Sequence, residues 1–167
     1  MNALTAMLLQ ILQQEKESYS QMIELSLKKR DAILANDANA LDEVVQDEKK
    51  LLLIIEKIER QREQNAHEWA QDLGVSKQEL TVSFLSDQMD GTEKKLLLSL
   101  QNGLVEVLAE QIKQNEINKD LLDSKLEYLN AMIKTLTQEV QLSNTYGKDG
   151  GTLNSQGGKS IGIDAEI

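Results

Sequence analysis

Carboxylates dominate the ionisable side chains of this chain, 28 Asp and Glu against 18 Lys and Arg and one His, so a carboxylate-bound metal site is the first chemistry to test. A di-iron centre in a helical bundle draws Glu from one helix pair and a Glu-x-x-His motif from each of the other two helices. The chain offers His67 alone, and the nearest upstream glutamate, Glu63, lies one residue too far away for that motif. Zinc fails on the same count, with one His and no Cys. A nucleophile, a base and an orienting acid cannot be assembled around a single histidine either. Gly157 to Ser160 reads GGKS, but the earlier glycine and the preceding strand of a phosphate-binding loop are both missing. His67 itself reads as a surface histidine near a helix end. The sequence therefore predicts no catalytic residue, no cofactor and no metal, and points to a binding protein, not an enzyme.

A second group of polar residues is placed where apolar ones belong. Glu15 lies seven residues from both Leu8 and Met22, while Glu48 and Arg62 share a rail with Leu41 and Ile55. If the chain reverses near Asn36, Glu15 comes level with Ile58 and within reach of Arg62. Such a pair would specify alignment more than it adds stability, because desolvation offsets much of the attraction. The alternative is that both carboxylates edge the stripe and stay hydrated. Asn115 and Asn118 interrupt a longer stripe, Leu97, Leu100, Leu104, Leu108, Ile112, Asn115, Leu122, Leu126, Leu129, Ile133, Leu136, Val140, and are predicted to set helix register.

The elements that must position these residues are all helical. The chain of 167 residues has no proline, 40% apolar content and few aromatics, and its long segments are rich in Leu, Glu, Lys, Gln and Ala. The expected fold is all-α: an antiparallel bundle or coiled coil of three long helices, one short connecting helix and a flexible C-terminal tail. Apolar spacing of three and four predicts helices over 3–34, 38–73, 77–89 and 92–142. Asp37 is a candidate N-cap, Gly74 a candidate left-handed terminator, and Ser76 with Glu79 a capping box for the short helix. Gly103, inside the last helix, should cost about 1 kcal/mol relative to Ala. The bundle domain is thus 1–142. The remainder, 143–167, holds six of the nine glycines and no periodicity, which predicts a flexible tail.

The last helix is longer than the hairpin on which it would pack. By a rise of about 1.5 Å per residue, roughly fifteen residues near its end would overhang. Leu129, Met132, Ile133, Leu136 and Val140 would then be offered to a partner helix, with Tyr146 of the tail as an aromatic anchor. Ordinary core or homodimer packing is the competing use of the same apolar residues. The formal charge of −10 argues against nucleic acid and anionic membrane as partners. No apolar run is long enough to span a bilayer, and the N-terminus lacks the basic region of a signal peptide, so a cytoplasmic protein without membrane insertion is expected.

Three segments together resemble a known family. Leu8-Leu9, Glu15 and Tyr19 are similar to the first helix of the FlgN-type flagellar export chaperones. Asp37, Leu41, Glu48, Leu51-Leu52, Ile55, Glu59 and Arg62 resemble its second segment. Asn115, Asn118, Leu121-Leu122 and Tyr128 resemble the third, with Lys125 separating Ser124 from Leu126 where the family pattern has a Ser-Leu pair. Tyr146-Gly147 and Gly150 follow in the expected order. The resemblance implies a cytoplasmic chaperone without ATPase activity. It would bind hook-filament junction proteins (hook-associated proteins) through their terminal amphipathic segments, keep them unassembled, and deliver them to an export-gate component at the inner membrane. It also implies that the C-terminal region captures the substrate and that the tail takes part in docking. Two alternatives share the architecture: a structural coiled-coil protein that self-associates as a homodimer, and a chaperone for another secretion substrate.

Overall fold

The computed structural model describes residues 3–145, with side-chain burial over 3–138. Four helices and no strands occur among the described residues: α1 Ala3–Ala35, α2 Ala38–Leu73, α3 Val82–Asp87 and α4 Gly91–Thr145. The chain divides into two units, whose described residues are 3–123 and 124–145.

Local chemistry fixes the α1–α2 reversal. Asn36 takes a left-handed φ of 55°, which a short amide side chain tolerates, and its N–H donates to Ile33 O. Asp37 follows in extended conformation, and its Oδ1 accepts from Ala40 N at 3.0 Å, capping α2. At the far end Gly74 has φ 67°, and the N–H groups of Gly74 and Val75 return to Gln71 O and Ala70 O. A Cβ at that φ is strained, so glycine is the residue that ends α2 without penalty.

The cross-hairpin partners show the direction of packing. Leu4 O meets Asn65, Glu15 meets Arg62, Tyr19 meets Glu59, and Lys29 meets Glu48. Numbers rise on α1 as they fall on α2, so the two helices are antiparallel. Within the first unit α4 runs the other way relative to α2. Lys16 lies against Gly103, and Ser26 faces Gln111 and Asn118, so α4 is parallel to α1 there.

Two apolar clusters hold this unit. Leu8, Leu9, Trp69, Leu85, Leu97 and Leu100 pack together, with Leu4, Leu12 and Leu73 against them. Met22, Leu51 and Ile55 form the second, flanked by Tyr19 and Leu25. Burying one such aliphatic side chain contributes about 1.5–3 kcal/mol, which makes these clusters the main source of cohesion.

The short helix differs from the expected 77–89. Ser76 and Glu79 do make capping contacts, with Glu79 Oε2 accepting from Ser76 N at 2.8 Å and Ser76 Oγ at 2.7 Å. They close a turn instead, and the helix opens at Val82 after Thr81, whose Oγ1 accepts from Phe84 N. The last helix runs to Thr145, three residues beyond the expected end.

Candidate partner-binding surface

Along 126–136, α4 exposes apolar side chains at helical spacing. Leu126, Leu129, Ile133 and Leu136 recur at intervals of three and four, and are 56%, 49%, 62% and 53% exposed. Tyr128 and Met132, one turn apart, form a second exposed stripe beside the first. Leucine, methionine and tyrosine are favourable contact residues because they offer large apolar area. Of the other residues predicted for this role, Val140 is helical, but its side chain lies outside those described, and Tyr146 lies outside the described residues.

The polar residues predicted to set register fall in the first unit and divide into two groups. Arg62 Nε donates to Glu15 Oε1 at 2.8 Å, with Glu15 buried. Burial pushes the Glu15 carboxyl above its ordinary range, the Arg62 charge and hydrogen bond pull it back, and Glu59 adds a smaller upward push. Glu48 does not share a partner with Arg62. It pairs with Lys29 at 2.7 Å, and both side chains are mostly covered.

The second group is centred on Ser26 of α1, which is fully buried. Asn118 Nδ2 donates to Ser26 O at 2.8 Å, and Gln111 Nε2 donates to Ser26 Oγ at 3.2 Å and to Asn115 Oδ1 at 3.3 Å. Asn118 is buried, whereas Asn115 lies at the exposed edge. Gln114, also buried, donates to Glu110 Oε1. Asn118 Oδ1 and Gln114 Oε1 find no hydrogen-bond partner.

This layer corrects the stripe assigned to α4. Ile112, expected on the inward face, is 60% exposed, and the inward positions after Leu100 include Gln111, Gln114 and Asn118. These three continue the three-and-four spacing of Leu97, Leu100 and Leu104. The signal was present, but in polar residues that an apolar template passes over. Asn65 was missed in the same way: it is fully buried on α2, and its Nδ2 donates to Leu4 O at 3.3 Å.

Among the described residues no group of three or more His, Cys, Asp or Glu could hold a metal ion, and no helix is long and apolar enough to cross a membrane.

In comparison with protein families, the family model described as FlgN protein matches residues 1–154. No curated protein and no solved structure matches the chain.

Proposed function

The chain belongs to the FlgN family of flagellar export chaperones, and from that premise we propose that it binds hook-filament junction proteins in the cytoplasm, keeps them unassembled and delivers them to the export gate at the inner membrane. The observation that supports this reading is the exposed apolar face of Leu126, Leu129, Met132, Ile133 and Leu136. An amphipathic segment of a junction protein would lay its own apolar face there, as in helix-on-helix recognition, and cover side chains now in water. Val140 and Tyr146, outside the described side chains, are proposed as further contacts for the same segment.

The scaffold for this face is a bundle of the three long helices, 1–142 in the proposed division, and the segment that follows α4 would join the contact on binding. Glu15, Glu48, Arg62, Asn115 and Asn118 serve alignment in this reading, not capture.

The test is recovery of partners from native cytoplasm by the full chain and by a version ending at Asn130. Junction proteins should come down with the full chain and be lost from the shorter one. Equal recovery would remove the apolar face from the mechanism, and absence of junction proteins from both would remove the substrate assignment.

The heptad relation of Leu126 with Ile133 and of Leu129 with Leu136 supports a second reading, self-association through the same face. Sedimentation separates the two: a homodimer that dissociates on Leu129→Asp with Leu136→Asp would favour it.

A further inference from the structure

A cleft in the first unit carries chemistry of its own. It encloses about 370 Å³, walled by Leu12, Val82, Leu104, Val105 and Leu108. Glu15, Tyr19, Glu59 and Arg62 also line it. Apolar walls and an ionic end make it suited to a group that is itself apolar along its length and polar at its tip.

The sign of that tip follows from the charges. Two carboxylates stand against one guanidinium, and Arg62 Nε is already committed to Glu15. Glu59 Oε1 accepts from Tyr19 OH at 3.2 Å, a neutral donor that leaves the charge uncompensated. Burial first, and then the neighbouring Glu59, push the Tyr19 phenol above its ordinary value. An anionic ligand would meet a site of surplus negative charge, and a wholly apolar one would strip water from Glu59 and return nothing.

The form of the carrier follows from the mouth. Val105 lies at the cleft, and Leu98, Val105 and Ile112 stand seven residues apart on α4, with exposures of 38%, 59% and 60%. Seven-residue spacing of exposed apolar side chains is the seam that another helix covers.

We propose that this cleft receives an arginine or lysine side chain from the apolar face of a partner's amphipathic helix, its methylene stem against Leu12, Leu104 and Leu108 and its cationic head on the Glu59 carboxylate. Long basic side chains bury their stems while keeping the head on a polar partner, which is the combination the cleft supplies. Arginine fits best, since its planar fork serves carboxylate and phenol oxygen together. None of the cleft's lining residues belongs to 126–136, and the proposal does not depend on the substrate assigned to that face.

The probe is a helical peptide of about three heptads with leucine at the seam positions and one central arginine among them. Its control carries citrulline, equal in shape and uncharged, at the same place. The full chain should bind the arginine peptide about tenfold or more tighter than the citrulline peptide, the scale of a charge-assisted hydrogen bond. Glu59→Gln should erase that preference, and Val105→Arg, at an exposed position, should weaken both peptides while leaving the circular dichroism spectrum unchanged. Equal affinity for the two peptides, a preference that survives Glu59→Gln, or no binding of either overturns the proposal. If Val105→Arg instead dissociates a dimer in sedimentation, the cleft belongs to a second copy of the chain and the proposal is overturned as well.

Discussion

Glu15 and Arg62 join α1 to α2 through a single hydrogen bond of 2.8 Å in which the two ions are unequally placed: the carboxylate side chain is 4% exposed and the guanidinium 49%. The buried member carries the larger desolvation penalty, so the pair is asymmetric to mutation. Arg62→Met leaves Glu15 buried without its counter-ion and should cost about 1–3 kcal/mol, more than Glu15→Gln, which leaves Arg62 free to hydrate. A double-mutant cycle followed by urea unfolding should return a coupling of about 1 kcal/mol. A coupling indistinguishable from zero would show the pair to be incidental.

The same pair sets a pH dependence. Burial raises the Glu15 carboxyl above its ordinary value of 4.5 despite Arg62. The folded state therefore holds this proton more tightly than the unfolded chain does. The contribution to stability is fully present below pH 4.5 and is lost as pH rises through the folded-state value. Relative to Glu15→Gln, the parent chain should lose stability on going from acid to neutral pH. Parallel unfolding midpoints across that range would contradict the assignment.

Asn118→Leu tests the polar layer. Asn118 makes one buried hydrogen bond to Ser26 O, and its Oδ1 makes none. Leucine removes the bond together with the unsatisfied acceptor, so the change in unfolding free energy should stay within about 1 kcal/mol in either direction. A loss well beyond that, in chemical denaturation, would mean that the amide supports a larger network than its two atoms show.

Gly103→Ala should stabilise the chain. An added Cβ would approach Lys16 Nζ at 2.7 Å and Cε at 2.9 Å, the far end of a flexible side chain that is able to move aside. Helix propensity then decides the sign, and thermal unfolding should report a gain of about 0.5–1 kcal/mol. A loss would show that the Lys16 stem is held across the glycine for a packing reason.

Ile133→Asp combined with Leu136→Asp should leave stability within about 0.5 kcal/mol, since both positions are exposed and substitutions there remove little buried contact. The same variant should lose junction-protein recovery in the pull-down. Unchanged recovery would place substrate capture elsewhere.

What could be read from the sequence divides along physical lines. The turn residues were legible because their chemistry is local: Asp37 caps α2 and Gly74 ends it, and neither depends on distant packing. The approach of Glu15 to Arg62 followed once the reversal point was known, since two helices of equal rise keep their alignment. Ser76 and Glu79 illustrate the limit. A capping pair forms, yet the residues after it turn before any helix begins, because a capping box describes a start without guaranteeing propagation. Ile112 illustrates another. A helix with apolar residues on more than one phase presents two candidate inward faces, and only the neighbouring α1 decides between them. The cleft at Glu59 was not legible, because its walls come from three segments far apart in the chain.

The Ser26 layer also gives the α1–α4 contact two different thermal behaviours. Exposing apolar surface raises the heat capacity of unfolding, while exposing polar surface lowers it. At the Leu97 and Leu100 end, cohesion is hydrophobic and weakens on cooling. Around Ser26, Gln111 and Asn118 it rests on hydrogen bonds, which are enthalpic and weaken on warming. Cold and heat would therefore loosen the seam from opposite ends, and its temperature of greatest cohesion is set by the balance of leucine against amide along one helix.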